Sequence, residues 1–90
     1  MQRLLLTISG RVQGVGFRRT AQREAIRLGL KGWVRNLFDG GVSCLAEGNH
    51  ESLEAFRRWC EKGPLFSRVD EVEAQWLDAT GEFEEFRVLR

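Results

Sequence analysis

An arginine follows closely spaced glycines near the start of the chain, in the string Gly10-Arg11-Val12-Gln13-Gly14-Val15-Gly16-Phe17-Arg18. Three glycines within seven residues allow positive φ angles and turn several N–H groups towards one point. A helical pattern follows, and the N-terminal end of a helix carries partial positive charge. Arg18 can hold two oxygens of a phosphate or carboxylate with its planar guanidinium. The stretch predicts an anion-binding loop, and the alternative is an ordinary strand-to-helix turn with a solvated arginine.

Asn36 is the second polar residue whose position suggests chemistry. It ends the string Gly32-Trp33-Val34-Arg35-Asn36, on a strand that we expect beside the glycine loop. Asparagine is also common where a strand leads into a turn, and such a turn follows at residues 39–41. From its local sequence, Asn36 is therefore either a site residue or a residue that prepares a hairpin.

The length and composition fit one small domain. A chain of 90 residues that is 42% hydrophobic can enclose a single core between two layers of secondary structure. We therefore expect residues 1–90 to form one domain. No apolar run has the length of a membrane span, and residues 1–6 lack the apolar stretch and cleavage site of a signal peptide. These features predict a soluble cytoplasmic protein without a membrane partner.

Histidine and cysteine are too few for a conventional zinc site. Cys44 and Cys60 lack metal-ligand spacing, and His50 is the only histidine. The sequence therefore predicts no metal site and two reduced, buried thiols. The acidic residues near the C-terminus lack the ligand order of a calcium loop and are interpreted as a solvated face. They are Asp70, Glu71, Glu73, Asp78, Glu82, Glu84 and Glu85.

Charge is distributed unevenly between the two halves of the chain. Residues 1–45 carry eight Lys/Arg and two Asp/Glu, whereas residues 46–90 carry six Lys/Arg and eleven Asp/Glu. A basic half with a glycine loop suits a small anionic ligand, and it suits a nucleic-acid backbone equally well. The charge distribution alone does not distinguish a small anionic ligand from a nucleic acid.

Hydrophobic periodicity predicts the elements that must position the loop and Asn36. Residues 3–12 form an apolar run stopped by glycines, which predicts a first strand. Apolar residues recur at helical spacing from Phe17, and Gly29 ends that helix. Residues 31–38 and 42–47 flank the glycine turn and predict an antiparallel hairpin.

The second half of the chain predicts one more helix and two strands. Asn49 is expected to cap a helix that ends at Lys62. Alternation over residues 71–76 predicts a fourth strand, and residues 86–88 a short edge strand. The order β-α-β-β-α-β predicts an α+β, ferredoxin-like sandwich, in which two helices cover one face of an antiparallel sheet. Proteins with many different functions have this fold, so the fold alone does not indicate a function.

Two motifs of the chain resemble the signatures of the acylphosphatase family. The first is the loop of residues 10–18, and the second is residues 32–36 with Gly40, Val42 and Gly48. Two motifs in the right order are far stronger than either alone, and the similarity extends over almost the entire chain. The resemblance implies the ferredoxin-like fold, hydrolysis of acyl phosphates to a carboxylate and inorganic phosphate, and no cofactor.

The resemblance also implies roles for individual residues. The phosphate-binding arginine of the family falls on Arg18 and its water-orienting asparagine on Asn36, so these two are the expected catalytic residues. The expected phosphate-binding set, acting through backbone N–H groups and the arginine side chain, is Gln13, Gly14, Val15, Gly16, Phe17 and Arg18.

Two positions depart from the family pattern. Gly16 stands where other members often carry a bulkier residue, and Leu37 replaces the hydroxyl residue that some members have after the asparagine. Both positions lie beside the expected site. Either change can alter the preference for leaving groups, but neither removes a catalytic group.

The implied chemistry agrees with the residues that the sequence lacks. The leaving group of an acyl phosphate is a carboxylate, so its departure needs no strong general acid and the loose transition state needs mainly positioning and charge stabilisation. His50 is expected to be an exposed residue at the start of the second helix and not a base. The expected partner is a small acyl phosphate bound by a monomer, without metal.

Two other functions stay open at this point. RNA-recognition domains share the predicted order of elements, but residues 42–47 lack their aromatic string and the chain has no tyrosine. Trp33, Trp59 and Trp76 lie at strand and helix periodicities, which favours packing over base stacking. The other function is a regulatory or carbamoyl-phosphate-handling module of a larger enzyme, against which we weigh the chain length of 90 residues.

Overall fold

The structure, a computed structural model, describes residues 1–90 as a five-stranded sheet with two helices. The strands are β1 (Gln2–Arg11), β2 (Lys31–Asn36), β3 (Val42–Gly48), β4 (Arg68–Asp78) and β5 (Phe86–Val88), and the helices are α1 (Phe17–Arg27) and α2 (His50–Lys62). The spatial order of the strands is β4-β1-β3-β2-β5. The predicted ferredoxin-like α+β fold is confirmed.

The short C-terminal strand lies at an edge of the sheet, as predicted. It runs parallel to β2, whereas the other strand pairs are antiparallel, so the complete sheet is mixed. Residues 79–85 carry the chain from β4 at one edge to β5 at the other. The direction of β5 depends on where this crossover ends, and its three residues carry no pattern of their own that specifies it.

Both helices cover the same face of the sheet. In β1 the buried residues alternate, because successive side chains of a strand point to opposite faces. The buried side chains of the helices join those of the strands in one cluster of 16 residues, and the helical spacing predicted from Phe17 is confirmed. The strand β1 contributes Leu4, Leu6 and Ile8, the helix α1 contributes Phe17, Ala21 and Ala25, and the helix α2 contributes Leu53, Phe56 and Cys60.

The helix ends follow local chemistry and agree with the sequence. The side chain of Asn49 accepts a hydrogen bond from the N–H of Ser52 at 2.8 Å, which satisfies one of the free amides at the start of α2. The helix α1 ends before Gly29, which has a φ of 76°. Neither helix has the length and apolar surface that a membrane-crossing helix requires.

The strand β2 ends at Asn36, two residues before the predicted end at Phe38. The N–H of Leu37 donates to the carbonyl oxygen of Gly41 at 2.8 Å and closes the hairpin there. The N–H of Gly41 in turn donates to Oδ1 of Asp39 at 2.9 Å. The side chain of Asp39 thus stabilises the turn, as asparagine and aspartate side chains commonly do. Because the hairpin closes at Leu37, Asn36 is the last residue of the strand.

Glu47 is a buried carboxylate at the end of the sheet where β1 begins. It accepts hydrogen bonds from Arg3 Nε at 2.7 Å, from the N–H of Thr80 at 2.9 Å and from the N–H of Gly81 at 3.0 Å. Burial alone raises the pKa of Glu47, but these hydrogen bonds lower it by more, and the resulting pKa lies below the usual value. The carboxylate therefore ties β1, β3 and the segment after β4 together.

Candidate active site

The glycine loop and Asn36 meet because β1 and β2 run in the same direction. Each is antiparallel to β3, which lies between them. The loop of residues 12–16 follows β1, and Asn36 is the last residue of β2. Both therefore lie at the same end of the sheet, which we call the loop end, and the helix α1 begins there as well.

Two glycines shape the loop. Gly14 and Gly16 have φ angles of 75° and 78°, and a Cβ at either position would meet no atom within 4 Å. The glycines are therefore required by the backbone conformation and not by a lack of space. Gly16 precedes α1, whose first turn carries no acidic residue and no side-chain cap. The N–H groups of residues 13–18 donate none of the turn, loop and cap backbone hydrogen bonds, so they are free for an anion.

A cavity of about 510 Å³ lies at the loop end, within the size range of small-molecule sites. An adjoining open cavity shares part of its wall and extends towards the C-terminus. The structure thus brings five predicted site residues to one cavity. The residues that line the first cavity are Val12, Gly14, Gly16, Phe17, Arg18, Arg19, Gln22, Asn36 and Val88.

Arg18 is half-buried and anchored by the C-terminal segment. Its Nη1 donates to the carbonyl oxygen of Leu89 at 2.8 Å, and the N–H of Leu89 donates to the carbonyl oxygen of Val34 at 2.8 Å. Val34 belongs to β2, the strand that ends at Asn36. A guanidinium has five N–H donors, so the bond to Leu89 fixes the side chain and leaves donors for an anion.

Two residues of the predicted phosphate-binding set do not line the cavity. The side chain of Gln13 donates to the carbonyl oxygens of Leu37 and Gly41 at 2.7 and 2.8 Å, and Val15 packs against the hydrophobic core. Only the backbone N–H groups of these two residues are therefore available for the predicted phosphate binding. Asn36 is exposed at the cavity wall.

Five residues of the cavity walls lie outside the predicted site, and one of them, Val12, directly precedes its first residue. Arg19 and Gln22 follow Arg18 on α1, and Gln22 lies one turn further on, so helical periodicity was a signal for it. Val88 and Arg90 come from β5 and the residues after it. No sequence signal indicates these two, because they reach the site through the parallel pairing of β5 with β2.

His50 lies far from the loop end. Its Nδ1 is 2.8 Å from Oε1 of Gln2, the first residue of β1, and its ring stacks on Trp76 with ring centroids 4.9 Å apart. This places the only histidine at the opposite end of β1 from the glycine loop. No group of three or more His, Cys, Asp or Glu side chains is arranged to hold a metal ion.

The two cysteines contact each other in the core. Cys44 of β3 and Cys60 of α2 are free thiols with 0% of their surface exposed. Burial raises the pKa of the Cys60 thiol well above its ordinary value, and the contact with Cys44 raises it further. Both side chains are closed off from solvent, and the reactive thiolate is disfavoured at Cys60, so the pair serves in packing and not as a nucleophile.

The sequence is similar to those of known acylphosphatases over its whole length. The family model described as Acylphosphatase matches residues 4–88. An acylphosphatase of Methylococcus capsulatus is 50% identical over 90 residues, which is 100% of this chain and 98% of that relative. An acylphosphatase of Thermococcus kodakarensis is 50% identical over 84 residues, which is 93% of this chain and 91% of that relative.

The fold is also similar to solved structures. The crystal structure of acylphosphatase from Bacillus subtilis has a TM-score of 0.96 and 36% identity, with 100% of both chains covered. Full-length HypF, solved in a phosphate- and nucleotide-bound form, has a TM-score of 0.86 and 30% identity over 99% of this chain and 12% of its own. The fold thus occurs both in chains of this size and as a small part of a much longer one.

Proposed function

The chain belongs to the acylphosphatase family and hydrolyses the carboxyl–phosphate bond of acyl phosphates to a carboxylate and inorganic phosphate, and we propose that Arg18, Asn36 and the loop of residues 13–18 carry this reaction. One observation supports the proposal above all others. Arg18 and Asn36 come from two separate motifs, and both line the cavity that the glycine loop forms.

The phosphoryl group binds to the loop and to Arg18. Its oxygens accept hydrogen bonds from the backbone N–H groups of residues 13–18 and from the guanidinium. The positive φ of Gly14 and Gly16 and the first turn of α1 without acidic residues support this role. In the loose transition state the charge is spread over the three equatorial phosphoryl oxygens, so the donors that bind the substrate also stabilise the transition state.

Asn36 orients the attacking water. The water adds to phosphorus, the bond from phosphorus to the acyl oxygen breaks, and its electron pair leaves with the carboxylate. The proton of the water passes to a phosphoryl oxygen of the substrate. A carboxylate leaves without a strong general acid, so positioning is the main contribution of the enzyme. The amide of Asn36 suits this task because it offers both a donor and an acceptor to one water molecule.

The setting of the reaction forms part of the proposal. Residues 1–90 act as one domain, supported by the single buried cluster. The enzyme is a cytoplasmic monomer, supported by two cysteines that form no disulfide in the structure and by a mechanism whose groups all come from one chain. Its partner is a small acyl phosphate, with no nucleic acid, membrane or metal involved.

Turnover of three small substrates tests this proposal. We expect hydrolysis of acetyl phosphate, competitive inhibition by inorganic phosphate, and no hydrolysis of p-nitrophenyl phosphate, whose leaving group is a phenolate and not a carboxylate. Carbamoyl phosphate is the third substrate, and a strong preference for it would favour the carbamoyl-phosphate-handling alternative. Purely noncompetitive inhibition by phosphate would place the anion outside the loop. No turnover of any acyl phosphate would favour a binding module.

A further inference from the structure

We propose that Gln13 is a positioning residue whose side chain holds the Asn36 hairpin against the phosphate-binding loop. The inference rests on the roles proposed above for the loop and for Asn36. It assigns to Gln13 a side-chain function in addition to the backbone N–H that it contributes to the loop.

The side-chain amide of Gln13 contacts the hairpin at two points. Its Nε2 donates to the carbonyl oxygen of Leu37 at 2.7 Å and to that of Gly41 at 2.8 Å. Both partners are acceptors, so the amide orientation follows from chemistry, because the side-chain oxygen cannot occupy this position. The two N–H groups of this amide thus bind the two residues that close the hairpin. These two residues are also hydrogen-bonded to each other, because the N–H of Leu37 donates to the carbonyl oxygen of Gly41.

This contact joins two parts of the site that no direct strand pairing connects. The loop follows β1, Asn36 ends β2, and β3 lies between these strands. Asn36 directly precedes Leu37, one of the two residues that Gln13 holds. The turn also lies close against β1, because a Cβ on Gly41 would come within 2.7 Å of the carbonyl oxygen of Ile8. Gln13 therefore fixes the hairpin at the point where it meets the loop.

The expected consequence of losing this contact is specific. A shift of Asn36 by a fraction of an ångström misaligns the water and slows the chemical step. The backbone N–H of residue 13 and the guanidinium of Arg18 stay in place, so phosphate binding changes little. When Asn36 is truncated to alanine, Gln13 no longer has a water-orienting amide to position. Replacing Gln13 should then have little further effect on kcat.

A double-mutant cycle with acetyl phosphate tests the proposal. Gln13→Met removes both donors, keeps a similar length and adds no charge beside the anion site. We expect kcat to fall roughly tenfold or more, with the inhibition constant for phosphate changed less than about twofold. In the Asn36→Ala background, Gln13→Met should change kcat by less than about twofold, because coupled residues are not additive. Gln75→Met, on β4 and exposed, is the matched control and should keep wild-type kinetics.

The outcomes separate this inference from the proposed function. An equal fall of kcat in both backgrounds, or a rise in the phosphate inhibition constant that matches the fall in kcat, would overturn the positioning role. Unchanged kcat in Gln13→Met would overturn it as well. By contrast, wild-type kcat in Asn36→Ala alone would remove the proposed role of Asn36. If circular dichroism shows that Gln13→Met is unfolded, Gln13→Asn, which keeps the amide but is one methylene too short, replaces it in the same cycle.

Discussion

The guanidinium of Arg18 donates a hydrogen bond to the carbonyl oxygen of Leu89, 2.8 Å away and 71 residues later in the chain. Leu89 is itself bonded to Val34 of β2. The C-terminal segment therefore fixes the orientation of the Arg18 side chain, which is proposed to hold the phosphoryl group. This segment is in turn hydrogen-bonded to β2, the strand that carries Asn36. An arginine fixed in this way loses less conformational entropy when an anion binds.

Replacement of Arg18 should weaken both binding and turnover. We expect Arg18→Ala to raise KM and the phosphate inhibition constant roughly tenfold or more, because a charge-assisted hydrogen bond is lost, and to lower kcat as well. Arg18→Lys should recover little, because an ammonium cannot reproduce the planar fork. Steady-state kinetics with acetyl phosphate measures these values. Arg23→Ala, an exposed arginine of the same helix, should behave as wild type, and wild-type KM in Arg18→Ala would contradict the assignment.

Replacement of Asn36 should affect turnover alone. Because the amide is proposed to orient water, Asn36→Ala should lower kcat about a hundredfold, while phosphate binds with near-normal affinity. The exposed position of Asn36 means that its truncation opens no cavity in the core, and thermal melts should confirm an intact fold.

Asn49→Ala is the matched control for this prediction. Removing the cap of α2 should cost about 1 kcal/mol of stability without altering kcat in the folded protein. If Asn36→Ala kept wild-type kcat, Asn36 would revert to the turn-preparing role that its local sequence also suggests.

Removal of divalent metal should leave the reaction unchanged. The proposed mechanism relies on loop N–H groups and Arg18 for charge stabilisation, with no role for a Lewis acid. We expect equal kcat before and after exhaustive dialysis against EDTA, and no gain when Mg²⁺ or Zn²⁺ is added back. Loss of activity on chelation with recovery on adding one of these ions would show the mechanism to be wrong.

Acid should destabilise the protein partly through Glu47. Its pKa is lowered in the folded state from the ordinary value of 4.5, so its ionised form stabilises the fold above that value. The stabilisation is lost as the pH falls through 4.5 towards the lower folded pKa. Urea melts between pH 7 and pH 3 should therefore show a smaller acid-induced loss of stability for Glu47→Gln than for wild type.

The same substitution should lower stability at pH 7, because the hydrogen bonds to Arg3, Thr80 and Gly81 lose a charged acceptor. Glu73→Gln, on the exposed part of β4, is the control and should leave the acid dependence as in wild type. An acid dependence of Glu47→Gln identical to that of wild type would refute the role of this carboxylate.

The thiols should be present but unreactive in the native protein. Cys44 and Cys60 are both buried, and burial raises the pKa of the Cys60 thiol. Titration with a thiol reagent should proceed slowly in buffer and reach two free thiols in denaturant without reductant. A count of zero in denaturant, restored only by reductant, would reveal a disulfide in place of the expected thiols.

The local features of this protein were readable from its sequence. Positive φ at Gly14 and Gly16, the cap at Asn49 and the apolar stripes of both helices depend on residues within about one turn of each other. The family followed from two motifs that each lie within a short segment. Such features are visible in sequence because neighbouring residues determine them. The catalytic roles of Arg18 and Asn36 stay a prediction for the experiments above.

Only the tertiary structure decided how the two motifs are joined. The parallel pairing of β5 brings Val88 and Arg90 to the cavity, and the bonds from Gln13 to the hairpin and from Arg18 to Leu89 span 24 to 71 residues of chain. These contacts depend on the strand order and on where the crossover after β4 ends. No local pattern encodes them, because a glutamine or arginine side chain finds such carbonyl oxygens only after distant strands have packed into one sheet.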